Sequence, residues 1–188
     1  IGGKLPNKVC HLGIGRTFQI PRPIKRLSIL ENAVIAGYFG QDGIGSRAEA
    51  FDAAKRALDM VGLPSDEDAQ ISSLGAAGLK KLELARALAT GPDLLLADES
   101  LGGLDNSEMD QAADMLKRIR TDMGITIIWV EHIMGVLMRV VDRVMVLDHG
   151  EKISEGLPTE VAHDPKVMEV YLGTDSEDAQ ASAASGVA

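Results

Sequence analysis

Three short runs along the chain are unbroken in their apolar character: Asp93 to Ala97 (DLLLA), Ile125 to Val130 (ITIIWV) and Arg143 to Leu147 (RVMVL). A strand with one wet face would alternate, whereas continuous runs of this length belong to a parallel sheet covered on both faces. Between the first two, Asn106 to Thr121 carries Met109, Ala112, Leu116 and Ile119 at helical spacing, with Asp110, Asp114, Lys117 and Arg118 on the opposite side. Strand, helix, strand at this length predicts a right-handed crossover. A further helix, Ile133 to Val141, leads into the third run, so the middle of the chain reads as a doubly wound α/β sheet.

The chain before residue 90 has a different rhythm. Ser28 with Glu31 and Ser46 with Glu49 form capping boxes that open helices at about 29–38 and 47–62, the second carrying Phe51, Ala54, Leu58 and Val61 on one face. A third helix, about 78–90, follows the Gly- and Ala-rich turn Leu74 to Gly78. Helices without strands predict a helical subdomain over 20–90, set beside a core made from 1–19 and 91–150. Asp148 to Ile153 reads as a hairpin around His149-Gly150, and Pro158 to Leu172 as short helices, giving a C-terminal segment over 151–173. Residues 174–188 have no apolar period and are expected to be disordered. There is no internal repeat.

Composition narrows the function classes. Aromatics are 3% of the chain and the net charge is −9, so base stacking and a basic phosphate-binding face are both disfavoured and nucleic acid is not an expected partner. The single cysteine, Cys10, excludes an internal disulfide and reads as an ordinary helix residue. No apolar run reaches the roughly 18 residues that span a bilayer, and no opening stretch reads as a signal peptide. The chain is expected to be soluble, with room for a membrane partner above it. Its first residue is Ile1 rather than Met, and nothing before Pro6 looks like a domain start, so sequence is expected to be missing at the front.

The chemistry concentrates in LLLADES, residues 94–100, where an apolar strand runs into Asp98 and Glu99. Adjacent carboxylates repel, and burying one unpaired costs several kcal/mol, so a metal ion is the candidate that would share the site. Ligands of open parallel sheets bind at the carboxyl ends of the strands. Asp98 and Glu99 close the first run, and Glu131 and His132 close the second. Apolar residues followed by Asp-Glu form a Walker B pattern, in which the Asp holds Mg²⁺ and the Glu polarises an attacking water. A buried strand followed by an acidic helix cap is an equally common origin of the pattern, and a histidine at a strand end is often a satisfied core or surface group.

The order of the elements goes further. KKLELARALATGPDLLLADESLGGLD at 80–105 followed by WVEH at 129–132 resembles the ATP-binding subunit of an ABC transporter. Within that superfamily, GIGRTFQ at 13–19, SILENAVIAG at 28–37 and the run from Asp142 to Gly173 most resemble the branched-chain amino acid importer group. The resemblance covers nearly all of residues 5–173 and implies a partial P-loop NTPase core with a mostly parallel sheet plus a helical subdomain. It implies that Gln19 is the Q-loop glutamine, touching metal or water; that Asp98 binds the metal; that Glu99 is the catalytic base; that Asp105 is the D-loop residue at a dimer interface; and that His132 contacts the γ-phosphate. Gln19 also reads as a solvated residue after an edge strand, and Asp105 as an N-cap. ATP and Mg²⁺ are the implied cofactors. Transmembrane permease subunits and a second ATP-binding subunit, identical or paralogous, are the implied partners, at the cytoplasmic face of the inner membrane.

Two departures from the family pattern bear on activity. The LSGGQ signature falls on Leu74, Gly75, Ala76, Ala77 and Gly78, where the serine and glutamine are lost and alanine stands where glycine lets a backbone approach phosphate. Ser100 also replaces the proline usual after Asp-Glu. Nor does GxxxxGK[ST] occur anywhere; GGK at residues 2–4 is followed by Leu5 and Pro6 rather than by Ser/Thr and a helix. In the family that loop precedes the region where this chain begins, and truncation is the simplest explanation. The leading expectation is therefore an importer ATPase present without its phosphate loop. A catalytically silent ABC-like docking module and the ATPase of another transporter type are the alternatives. The 188-residue polypeptide is accordingly expected to bind ATP poorly and hydrolyse it negligibly; micromolar affinity in a calorimetric titration would contradict this.

Overall fold

The computed structural model describes residues 1–40, 46–99, 106–132 and 134–170, and its internal contacts divide the chain into a unit ending at His132 and a second unit after it. The first unit opens with a short helix, α1 (Pro6–Cys10), whose proline occupies the first turn where a missing N–H costs nothing. A brief strand, β1 (Ile14–Arg16), follows. Helices α2 (Ile29–Tyr38) and α3 (Arg47–Met60) begin at the two predicted capping boxes, with serine hydroxyls accepting from the N3 amides and the glutamates accepting in return from the serine amides. The Ser46 hydrogen bonds hold the Glu49 carboxyl below its ordinary pKa.

Helix α4 (Ala76–Ala89) joins the helical layer to the sheet. It starts earlier than the expected 78 because alanines occupy its first turn, and Ala is the strongest helix former. Leu82, Leu84, Ala85 and Leu88 are buried together with Ile29, Leu30 and Ala33 of α2, Ala54 and Leu58 of α3, and Leu95 of strand β2 (Leu94–Asp98). Gly15 lets this helix lie close on β1: a Cβ there would stand 3.1 Å from both the Ala87 carbonyl oxygen and Pro92 Cβ. Helix α5 (Asn106–Met123) adds Leu116 and Ile119 to the same core and returns the chain to strand β3 (Thr126–Val130).

The sheet is parallel in the order β1-β2-β3, with Arg16 opposite Leu96 and Asp98 opposite Val130. Every carboxyl end therefore opens on one edge, with β2 in the middle. The third apolar run behaves differently from expectation. Strand β4 (Val144–Asp148) pairs antiparallel with β5 (Glu151–Gly156) in a two-stranded sheet of the second unit, not in the parallel layer. The turn between them explains the antiparallel pairing: His149 at φ 46° and Gly150 at φ 85° make a tight two-residue reversal that hands β4 an immediate partner. The helix expected over 133–141 contracts to α6 (Met134–Leu137), where Gly135 and neighbouring β-branched valines are weak helix formers. The second unit closes its own small core with Val144, Val161 and Val167, Val161 being supplied by α7 (Pro158–Val161). The expected disordered tail at 174–188 lies outside the described residues.

Asn32, 1% exposed on α2, fastens the segment that follows Gln19. Its side-chain oxygen accepts from the Ile24 amide at 2.8 Å, and its amide donates to the Ser28 and Ile24 carbonyls at 2.9 and 3.2 Å. Asn32→Ala strands these buried groups and is expected to lower unfolding stability by about 2–3 kcal/mol, measured by urea denaturation; a loss within experimental error would refute the anchoring role.

Candidate functional site

The connection leaving β1 and the end of β2 lock onto one another. Thr17, 3% exposed, continues the ladder by donating its amide to the Leu96 carbonyl at 3.0 Å, and its hydroxyl oxygen accepts from the Asp98 amide at 3.1 Å. Arg16 Nη2 lies 3.0 Å from Asp98 Oδ2, and its guanidinium carbon sits 5.2 Å from the centre of the Phe18 ring. Gln19 Nε2 donates a hydrogen bond to Glu99 Oε2, across 80 positions of sequence. Four consecutive residues, Arg16 to Gln19, thus hold both carboxylates or shape what holds them.

Glu99 has a left-handed backbone at φ 42°. For a residue with a Cβ this costs on the order of 1 kcal/mol or more and persists only where the surroundings enforce it. Here its amide donates to the Val130 carbonyl at 3.0 Å, and Lys80 Nζ donates to its carbonyl at 3.4 Å. The first of these bonds also fixes the neighbouring strand end. Glu131 and His132 follow Val130 directly, so the parallel register brings them out at the same edge as the acidic pair. The Glu131 side chain is 1% exposed and its Oε2 lies 3.8 Å from His132 Nδ1, while His132 is 67% exposed.

A cavity of about 500 Å³ opens beside this edge, lined among others by Arg16, Phe18, Gln19, Arg22 and Asp98. On its α4 side, Glu83, 8% exposed, pairs with Arg86 at 2.9 Å, and Arg86 Nη1 donates to the Arg22 carbonyl at 3.1 Å, tying the helix to the chain leaving Gln19.

Of the residues singled out from sequence, Gln19, Asp98, Glu99 and His132 share the carboxyl edge, with Gln19 and Glu99 in direct contact. Gly75, Ala76, Ala77 and Gly78 form the N-cap and first turn of α4. Gly75 caps with no side-chain hydrogen bond, and a Cβ on Gly78 would press to 3.0 Å from Leu74 Cδ2, so the leucine folds over the place a side chain would take. Asp105 and Ser100 lie outside the described residues. Arg16, Thr17 and Lys80 were not singled out, although each lay inside a quoted motif. A positive charge and a hydroxyl two to three residues before a glutamine carry no periodic signal, and only the β1-β2 register reveals their target.

Among the described residues, no group of three or more His, Cys, Asp or Glu side chains forms a cage for a metal. Mg²⁺ is commonly held by one or two carboxylates together with water and substrate phosphates, and the oxygen donors of Asp98, Glu99 and the Gln19 amide fit that manner of binding. Among the described residues, no helix is long and apolar enough to cross a membrane.

Comparison with known proteins identifies the family. The ABC transporter family matches residues 6–102, and the branched-chain amino acid ATP-binding cassette transporter family matches 151–177. The probable branched-chain amino acid transport ATP-binding protein LivG of Archaeoglobus fulgidus is 34% identical, the alignment covering 94% of this chain and 72% of that protein. The high-affinity branched-chain amino acid transport ATP-binding protein LivG of Escherichia coli is 29% identical, over 88% of this chain and 70% of the other. Among solved structures, the ADP conformation of MJ1267, an ATP-binding cassette of an ABC transporter, superposes with a TM-score of 0.79 at 28% identity, over 92% of this chain and 73% of that one. The dimeric post-hydrolysis state of the cassette MJ0796 bound to ADP and Pi follows at 0.70 and 26%, over 83% and 68%. The chain belongs to the ABC transporter ATP-binding family, in its branched-chain amino acid group, and its fold is a partial P-loop NTPase core with a helical subdomain.

The Thr17 hydroxyl is the buried pin between the two acidic-edge strands. Thr17→Val keeps the volume but leaves the Asp98 amide without its acceptor, an expected loss of about 1–3 kcal/mol in urea unfolding; an unchanged midpoint would show the hydroxyl to be dispensable.

Proposed function

We propose that this chain is the nucleotide-hydrolysing part of an importer for branched-chain amino acids, working as a pair of ATP-binding subunits beneath transmembrane permease subunits at the cytoplasmic face of the inner membrane. The observation that carries the reading is the meeting of Gln19 and Glu99 beside Asp98 at the carboxyl end of a central parallel strand. Its family membership, and the branched-chain amino acid transport function of its named relatives, point the same way.

In this reading Asp98 is the carboxylate that holds Mg²⁺, directly or through water, with the Gln19 amide at its side. The bound ion would neutralise charge developing on the transferred phosphoryl oxygens. Glu99 accepts a hydrogen bond from the attacking water and orients it. The left-handed turn and the Val130 and Lys80 bonds fix where its carboxylate can point. Gln19 bridges Glu99 to the segment running toward α2, a path by which occupancy of the site reaches the permease side. His132, exposed at the neighbouring strand end, is assigned the contact to the γ-phosphate. Gly75 to Gly78 offer the amides of the α4 N-terminus and its positive dipole end to the nucleotide of the partner subunit, weakly because the signature side chains are lost. Asp105 is assigned to the dimer interface.

A catalytically silent docking module is the competing reading, favoured by those missing signature side chains. The test joins this chain to an upstream strand and GxxxxGK[ST] loop and measures Mg²⁺-dependent ATP hydrolysis. Turnover is expected, and Glu99→Gln is expected to lower it roughly 100-fold or more while nucleotide binding persists. No turnover in the presence of the permease subunits would favour the silent module.

A further inference from the structure

Asp98 carries a cation already: the Arg16 guanidinium, 3.0 Å from its Oδ2. We propose that Arg16 is a built-in counter-cation for Asp98, occupying the carboxylate until a divalent ion displaces it, and that this exchange links the metal to Gln19. The inference rests on the reading of Asp98 as the metal-binding carboxylate and goes beyond it by assigning a positioning role to Arg16.

Adjacent Asp98 and Glu99 repel each other when both are ionised, and with no metal present something must offset that charge. Each carboxylate receives its partner from the same short segment, Asp98 from Arg16 and Glu99 from Gln19. The middle of the segment is immobile by comparison, because Thr17 is buried and bonded to β2 by both its amide and its hydroxyl. Arg16 and Gln19 therefore act as two arms from one fixed point.

A divalent ion on Asp98 cannot share the carboxylate with a guanidinium a few ångströms away, since like charges repel and the ion competes for the same oxygens. The arginine has a place to go. Its side chain is 55% exposed and lies against the Phe18 ring at the mouth of the cavity, where cation–π attraction retains part of its stabilisation. An exposed pair of this kind is weak, which suits a contact that must yield to the ligand. Arg22 lines the same cavity, and Glu83 opposite is committed to Arg86, so the displaced guanidinium gains no equivalent carboxylate.

The test uses the 188-residue chain and Mn²⁺ alone, counted by loss of the free-ion paramagnetic resonance signal at low ionic strength. Asp98-dependent binding is the difference between each protein and the same protein carrying Asp98→Asn. Arg16→Gln is expected to tighten that binding roughly two- to five-fold, the range of an exposed ion pair. Arg22→Gln removes the same charge from the same cavity and is expected to change it distinctly less. Arg16→Lys, which keeps a charge but loses the planar fork, is expected to restore affinity toward that of the unmodified chain. Equal tightening by Arg16→Gln and Arg22→Gln would reject the counter-cation while leaving Asp98 as the metal ligand. No Asp98-dependent binding in any background would reject both.

Discussion

Two carboxylates placed side by side at the end of a buried strand are the constraint around which the site is organised. Leu95 and Ala97 bury β2 in the core, so its last residues emerge from an apolar layer side by side at its edge. The chain answers with a neighbouring segment that supplies a guanidinium, a hydroxyl and an amide within four residues. That answer works only if β1 lies parallel to β2 in one register. Shifting β1 by a single residue would turn Arg16 and Thr17 to the opposite faces of the sheet.

The helical layer matters to the site through α4. Its buried face is fixed by the leucines shared with α2, α3 and β2, its Glu83–Arg86 pair reaches the chain beyond Gln19, and its Lys80 reaches the Glu99 carbonyl. The same helix thus touches the acidic pair from one side and presents the Gly75–Gly78 turn at its N-terminus. A movement of α4 would be felt at Glu99 through Lys80 and at Gln19 through Arg22, two routes that meet at the contact between those side chains.

Much of this was readable from residues alone, and what was not has physical causes. The continuous apolar runs located β2 and β3, and the two capping boxes located α2 and α3, because those signals are local. Asp98, Glu99, Gln19 and His132 stood out through motif order. β1 was harder to see: IGR is three residues with glycine at its centre, and Gly15 is there to admit α4 rather than to build a strand. The antiparallel pairing of β4 depended on the backbone angles of His149 and Gly150, which favour an immediate hairpin. Arg16 and Thr17 had no individual signal, because their meaning arises from the strand opposite.

The central claim is that the carboxyl ends of three parallel strands form one cation site around Asp98. Paramagnetic broadening of backbone amide resonances by dilute Mn²⁺ measures this directly. The account predicts that Thr17 to Gln19, Asp98 and Glu99, and Glu131 and His132 broaden together, ahead of the rest of the chain. Broadening that begins in another acidic stretch, such as Asp66 to Asp68, with those three strand ends unaffected, would contradict it.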